Sequence, residues 1–90
     1  MDFGLTGKRA LVTGASKGIG RATAKVLASE GCDVHIVART AADLDNAVAE
    51  ISAISGRAIT SSALDLSVSG NVAQLCDEMS DVDILVNNAG

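Results

Sequence analysis

Ninety residues with 48% apolar content, a mean hydropathy of +0.34 and 20% charged residues exclude a disordered chain and set the ceiling at one domain or part of one. A net charge of −4 argues against general nucleic-acid binding, which depends on neutralising many phosphates, and no apolar run approaches the ~20 residues that span a bilayer. Cys32 and Cys76 are isolated thiols without metal spacing, and Met1-Asp2-Phe3-Gly4 has neither a basic nor an apolar leader character, so a reducing, cytoplasmic compartment is expected.

In chain order, the apolar core Ala10-Leu11-Val12 within Lys8 to Thr13 predicts a first strand. Thr13-Gly14-Ala15-Ser16-Lys17-Gly18-Ile19-Gly20 follows it and leads into a helical stripe of Ile19, Ala22, Thr23, Val26 and Leu27, closed by Gly31 as a C′ residue. A loop emptied of Cβ atoms can turn tightly and bring its amides to an anion, and the helix behind it points its positive end at the same place. A glycine-rich turn also serves close packing alone. Asp33 to Ala38, with Val34, Ile36 and Val37, predicts a second strand. Thr40 then caps a second helix whose stripe is Leu44, Ala47, Val48, Ile51 and Ile54, with Asp43 in its first turn and Gly56 at its end. Arg57 to Leu64 predicts a third strand, Ser67 caps a third helix with the stripe Val68, Val72, Leu75 and Met79, and Val82 to Asn87 predicts a fourth strand.

This βαβαβαβ alternation implies a parallel sheet covered by helices on both faces, because each crossover is right-handed and needs a helix to span it. In a sheet ordered 3-2-1-4, strands one and four lie side by side, and the crevice above their C-terminal ends is where ligands bind. The glycine loop and Asn87-Asn88-Ala89-Gly90 then face one cavity. The fourth strand is expected at an open edge, with Ile84, Leu85 and Val86 unprotected.

All seven basic residues (Lys8, Arg9, Lys17, Arg21, Lys25, Arg39, Arg57) precede the acidic last third, which favours a small anionic ligand near the first half. Arg39 stands just beyond the second strand, 19 positions after Gly20. At this place in dinucleotide folds a carboxylate bonds the ribose 2′-hydroxyl and a cation accommodates a 2′-phosphate. No carboxylate stands there, so NADP(H) is expected over NAD(H), with Lys17 as a second cation; the alternative for Arg39 is a solvated charge at a strand end. His35 has no partner at ligand spacing and is expected as a packed or edge histidine, and both thiols as small apolar side chains.

The octapeptide from Thr13 to Gly20, then Asp65-Leu66, then Asn87-Asn88-Ala89-Gly90 resemble, in order and spacing, the TGxxxGxG, acidic adenine-contact and NNAG elements of the short-chain dehydrogenase/reductase family. The resemblance implies a Rossmann-type α/β fold, a doubly wound parallel sheet that is incomplete here, with residues 1–90 as the N-terminal part of a single dinucleotide-binding domain. It implies Gly14, Ala15, Ser16, Lys17, Gly18, Ile19 and Gly20 on the diphosphate and nearby ribose, Arg39 with Lys17 as a mark of NADP(H), Asp65 and Leu66 around the adenine, and Asn87, Asn88, Ala89 and Gly90 lining the pocket. Asp65 serves equally as a turn residue before Ser67. The activity implied is hydride transfer on an alcohol or carbonyl substrate in a complete protein, for which a homo-oligomer is open.

These ninety residues contain no Tyr and none of the family's Ser and Tyr-x-x-x-Lys catalytic pattern, so no catalytic residue is expected in them and the chain is expected to be inactive alone. The alternatives are a non-catalytic nucleotide-binding module and a truncated chain that does not fold by itself. No metal site and no membrane or nucleic-acid partner are expected.

Overall fold

The computed structural model describes residues 7–15, 18–57, 59–65, 69–78 and 81–87. Its elements are β1 (Arg9–Thr13), α1 (Gly18–Ser29), β2 (Asp33–Ala38), α2 (Ala41–Ser55), β3 (Thr60–Ala63), α3 (Ser69–Glu78) and β4 (Ile84–Asn87). The four strands pair in parallel in the order β3-β2-β1-β4, which is the expected doubly wound arrangement. The third and fourth strands are shorter than expected, starting at Thr60 and Ile84. Arg57 instead turns back along the sheet bottom, its Nε donating to the Cys32 carbonyl at 3.1 Å and its Nη2 to Asp33 Oδ1 at 2.5 Å.

Side chains alternate across each strand, so the two faces of the sheet are separate packing problems. On one face Ala10, Val12, Val34 and Ile36 meet Ala24 and Ala28 of α1 and Leu44, Ala47 and Ile51 of α2 in a single buried cluster. Leu11 and Val37 on the other face pack with Leu75 of α3, and Leu64 and Val82 lie partly buried against them. Two helices cover the first face, whereas Leu85 on the second remains 66% exposed. The open edge at β4 is therefore only partly as expected, because Ile84 and Val86 point into the first cluster and are half-buried.

The helix stops follow the glycines. Gly31 takes φ 93°, its N–H donates to the Ala28 carbonyl at 3.0 Å and the Cys32 N–H to the Leu27 carbonyl at 3.1 Å, the paired bonds of a Schellman stop. Gly56 ends α2 in the left-handed region at φ 71°. At the other end of α2, Thr40 is extended and its carbonyl accepts from Leu44 N–H, but its side chain makes no capping bond, contrary to expectation. The cap expected from Ser67 lies outside the described residues, as do Val68 and Met79 of the third stripe.

The stripe expected to bury α1 holds at Leu27, which packs partly buried on the first cluster, and is corrected at Ile19, Ala22 and Val26. Ile19 is 76% exposed and Val26 61%, and the face that meets the sheet is Gly20, Ala24 and Ala28, spaced four apart. A row of the smallest side chains lets the helix axis approach the strands more closely than an Ile and Val row permits. In α2 the expected face holds for Leu44, Ala47 and Ile51, while Ile54 in the last turn is 59% exposed.

The two helices are also joined by charge. Arg21 of α1 holds Glu50 of α2 with both ends of its fork, Nε to Oε1 at 3.2 Å and Nη2 to Oε2 at 3.0 Å, and Lys25 pairs with the same carboxylate. Chiefly through the Lys25 hydrogen bond, with Arg21 adding and partial burial opposing, the Glu50 carboxyl is held below its usual range. A carboxylate with a depressed folded pKa contributes stability above its unfolded value and loses it as pH falls through the folded one. Urea midpoints should therefore show a small gap between wild type and Glu50→Gln at pH 7 that closes as pH falls below the usual carboxylate range; a gap that persists in acid would remove the ion pair as its cause.

Candidate functional site at the C-terminal edge of the sheet

The C-terminal ends of all four strands meet at one edge, and short backbone ties hold the turns that leave them. After β1 the chain passes through Gly14 at φ 62°, and Ala15, fully buried, donates its N–H to the Val37 carbonyl at the end of β2 at 3.3 Å. Leu64 after β3 donates to the Ala38 carbonyl at 2.9 Å, and the Asn71 side chain donates to the Asp65 carbonyl at 3.0 Å. These bonds bring the glycine turn, Arg39 and Asp65 to the same side of the sheet.

Gly18 opens α1 at φ 60°, and a Cβ placed on it would meet nothing within 4 Å. The requirement for glycine here is conformational, since an L side chain is strained in that region even with open space around it. Open space beside a left-handed glycine at a helix N-terminus leaves backbone N–H groups approachable by an anion. Ile19 is exposed on the first turn, whereas Gly20 is buried against the sheet.

Thr13 was not among the expected site residues, yet it joins the two central strands. It is 4% exposed, aligned with Asn87 across β1 and β4, and its Oγ1 donates to Asn87 Oδ1 at 3.1 Å with the Val86 carbonyl at 3.4 Å. The signal was a hydroxyl residue at the last position of a buried apolar strand, where an unsatisfied polar group is costly. Arg39 is exposed just past β2, two residues before α2 begins. Of the expected site residues, the structure thus brings Gly14, Ala15, Gly18, Ile19, Gly20, Arg39, Asp65 and Asn87 to this edge. Ser16, Lys17, Leu66, Asn88, Ala89 and Gly90 lie outside the described residues.

Away from this edge, His35 bridges β2 and β3, with Nδ1 2.6 Å from Thr60 Oγ1 and Nε2 2.8 Å from Ser62 Oγ. Of the two expected roles, packed or edge, the packed one holds: His35 is half-buried on an inner strand, with β1 and β3 on either side. Cys32 is a buried thiol, and burial pushes its pKa up despite the nearby Arg57 charge. Among the described residues no group of His, Cys, Asp and Glu side chains is placed to hold a metal, and no helix is long and apolar enough to cross a membrane.

The family model for short chain dehydrogenases matches residues 8–90. The chain belongs to the short-chain dehydrogenase family. The L-xylulose reductase of Mesocricetus auratus is 45% identical over 89 residues, which are 99% of this chain and 34% of that protein. The gluconate 5-dehydrogenase of Gluconobacter oxydans is 42% identical over 92 residues, covering 98% of this chain and 36% of its own length. Among solved structures, the L-sorbose reductase from Gluconobacter frateurii, complexed with NADPH and L-sorbose, superposes with a TM-score of 0.90 at 36% identity, covering 100% of this chain and 36% of that one. This short-chain dehydrogenase sequence therefore spans about a third of the length of the relatives it matches.

Proposed function

We propose that these ninety residues are the N-terminal, cofactor-binding part of a single dinucleotide-binding domain, in an oxidoreductase that prefers NADP(H) and transfers hydride to or from an alcohol or carbonyl. The observation that carries this reading is the convergence at one sheet edge of a left-handed glycine turn, the Thr13–Asn87 link between the central strands, and a cation after β2. In it, residues 14–20 hold the diphosphate, Arg39 with Lys17 meets the 2′-phosphate, Asp65 and Leu66 border the adenine, and residues 87–90 line the pocket. When bound, the reduced nicotinamide supplies the hydride; the residues here bind and orient it. The working compartment is the cytoplasm.

The substrate belongs to a complete protein. L-xylulose and L-sorbose, named for two relatives, make polyhydroxylated carbonyl compounds the first to try there. With no Tyr among them, the ninety residues by themselves should bind the nucleotide without turning over any carbonyl.

Arg39→Asp tests the cofactor assignment. A charge-assisted hydrogen bond contributes about 1.5 to 3 kcal/mol, so NADPH affinity should fall about ten- to a hundredfold while NADH binding changes far less. Fluorescence titration of both nucleotides reads this directly. Equal loss, or none, removes Arg39 as the selector, and a folded wild-type sample that binds neither nucleotide overturns the whole reading.

A further inference from the structure

We infer that Glu50, remote in sequence from every cofactor contact assigned above, is a positioning residue that sets the distance between the glycine turn and Arg39. The inference rests on the dinucleotide reading. The diphosphate seat belongs to the start of α1, and the 2′-phosphate seat to the turn that opens α2, so a dinucleotide that touches both measures the offset between two helices. Packing fixes that offset weakly at α1. Its fully buried row is Gly20, Ala24 and Ala28, which offers no large side chain to interlock; Leu27 packs only partly buried beside it, and Ile19 and Val26 are exposed.

Glu50 supplies the missing register. Arg21 is the residue directly after Gly20, and its planar fork grips both Glu50 oxygens while Nη2 also reaches the Asn46 carbonyl at 3.4 Å. Lys25, one turn further along α1, holds the same carboxylate. A bidentate guanidinium–carboxylate pair fixes orientation as well as distance. Because the pair is about one quarter exposed on the Arg21 side and one third on the Glu50 side, its effect on overall stability is small and its effect on geometry is what remains.

Glu50→Gln in the full chain should lower NADPH affinity by up to about fivefold, the upper end for an exposed ion pair, and leave NADH affinity nearly unchanged. NADH lacks the phosphate that Arg39 receives, so only the NADPH to NADH ratio reports the offset. Arg21→Lys keeps the charge but loses the fork, and should lower the same ratio, which preserves the test if Glu50→Gln does not fold. An unchanged ratio in the folded variants, including an equal loss for both nucleotides as a purely structural role would give, overturns the inference alone. Wild-type protein with no NADPH preference overturns the cofactor reading, and this inference with it.

Discussion

Ile36→Ala should lower the free energy of unfolding by about 2 to 5 kcal/mol, the range for truncating a large aliphatic side chain in a core that collapses only partly around the gap. Ile36 is fully buried on β2, which has a strand on either side, and it belongs to the cluster that joins β1, β2, α1 and α2. Removing three carbons there costs both the transfer term and the packing contacts of the facing helices. The loss is a large share of the 5 to 15 kcal/mol that small domains typically possess. Ile54→Ala is the matched control, because Ile54 is 59% exposed and truncation there should change stability by less than about 0.5 kcal/mol. Urea unfolding of the two variants, with an unchanged m-value, checks the pair; an Ile54→Ala midpoint as low as that of Ile36→Ala would mean that the α2 face has been assigned to the wrong side.

That contrast between a strand position and a helix position also marks what periodicity can and cannot reveal. The β2 strand, the glycine stops at 31 and 56, and the 3-2-1-4 order were all legible, since each rests on local chemistry: an apolar run, a left-handed residue, a handed crossover. The face of α1 was legible only at Leu27. Hydropathy weights Ile19 and Val26 heavily and Gly20 and Ala24 hardly at all, so the pattern pointed to the wrong side of the helix. Close approach to a sheet selects for small volume, and volume is not what an apolar stripe reports. The same limit hid the Arg21–Glu50 clamp, whose partners are 29 positions apart and become neighbours only when α1 and α2 pack. At the site, the glycine turn and Arg39 stood out by type and place, whereas Thr13 needed the β1–β4 register before its bond to Asn87 could be seen.

The close approach of α1 has the second large consequence. Ala24→Leu should destabilise the fold by about 1 to 3 kcal/mol and weaken NADPH binding at least about tenfold. Ala24 is fully buried between Gly20 and Ala28 on the row that touches the sheet, so three added carbons have no free volume and must lift the helix from β1 and β2. Lifting α1 carries its N-terminus with it, and with that the amides beside Gly18 and Gly20 proposed to hold the diphosphate. Hydrogen bonds to a charged group contribute about 1.5 to 3 kcal/mol each, so misplacing even one amounts to roughly a factor of ten in affinity. Ala22→Leu supplies the comparison on the same helix: Ala22 is exposed, Leu is nearly as good a helix former as Ala, and both stability and binding should stay near wild type. Measuring urea midpoints and NADPH dissociation constants for both variants separates helix placement from helix formation. If Ala24→Leu unfolds more easily yet binds NADPH as tightly as wild type, the start of α1 is not what seats the diphosphate.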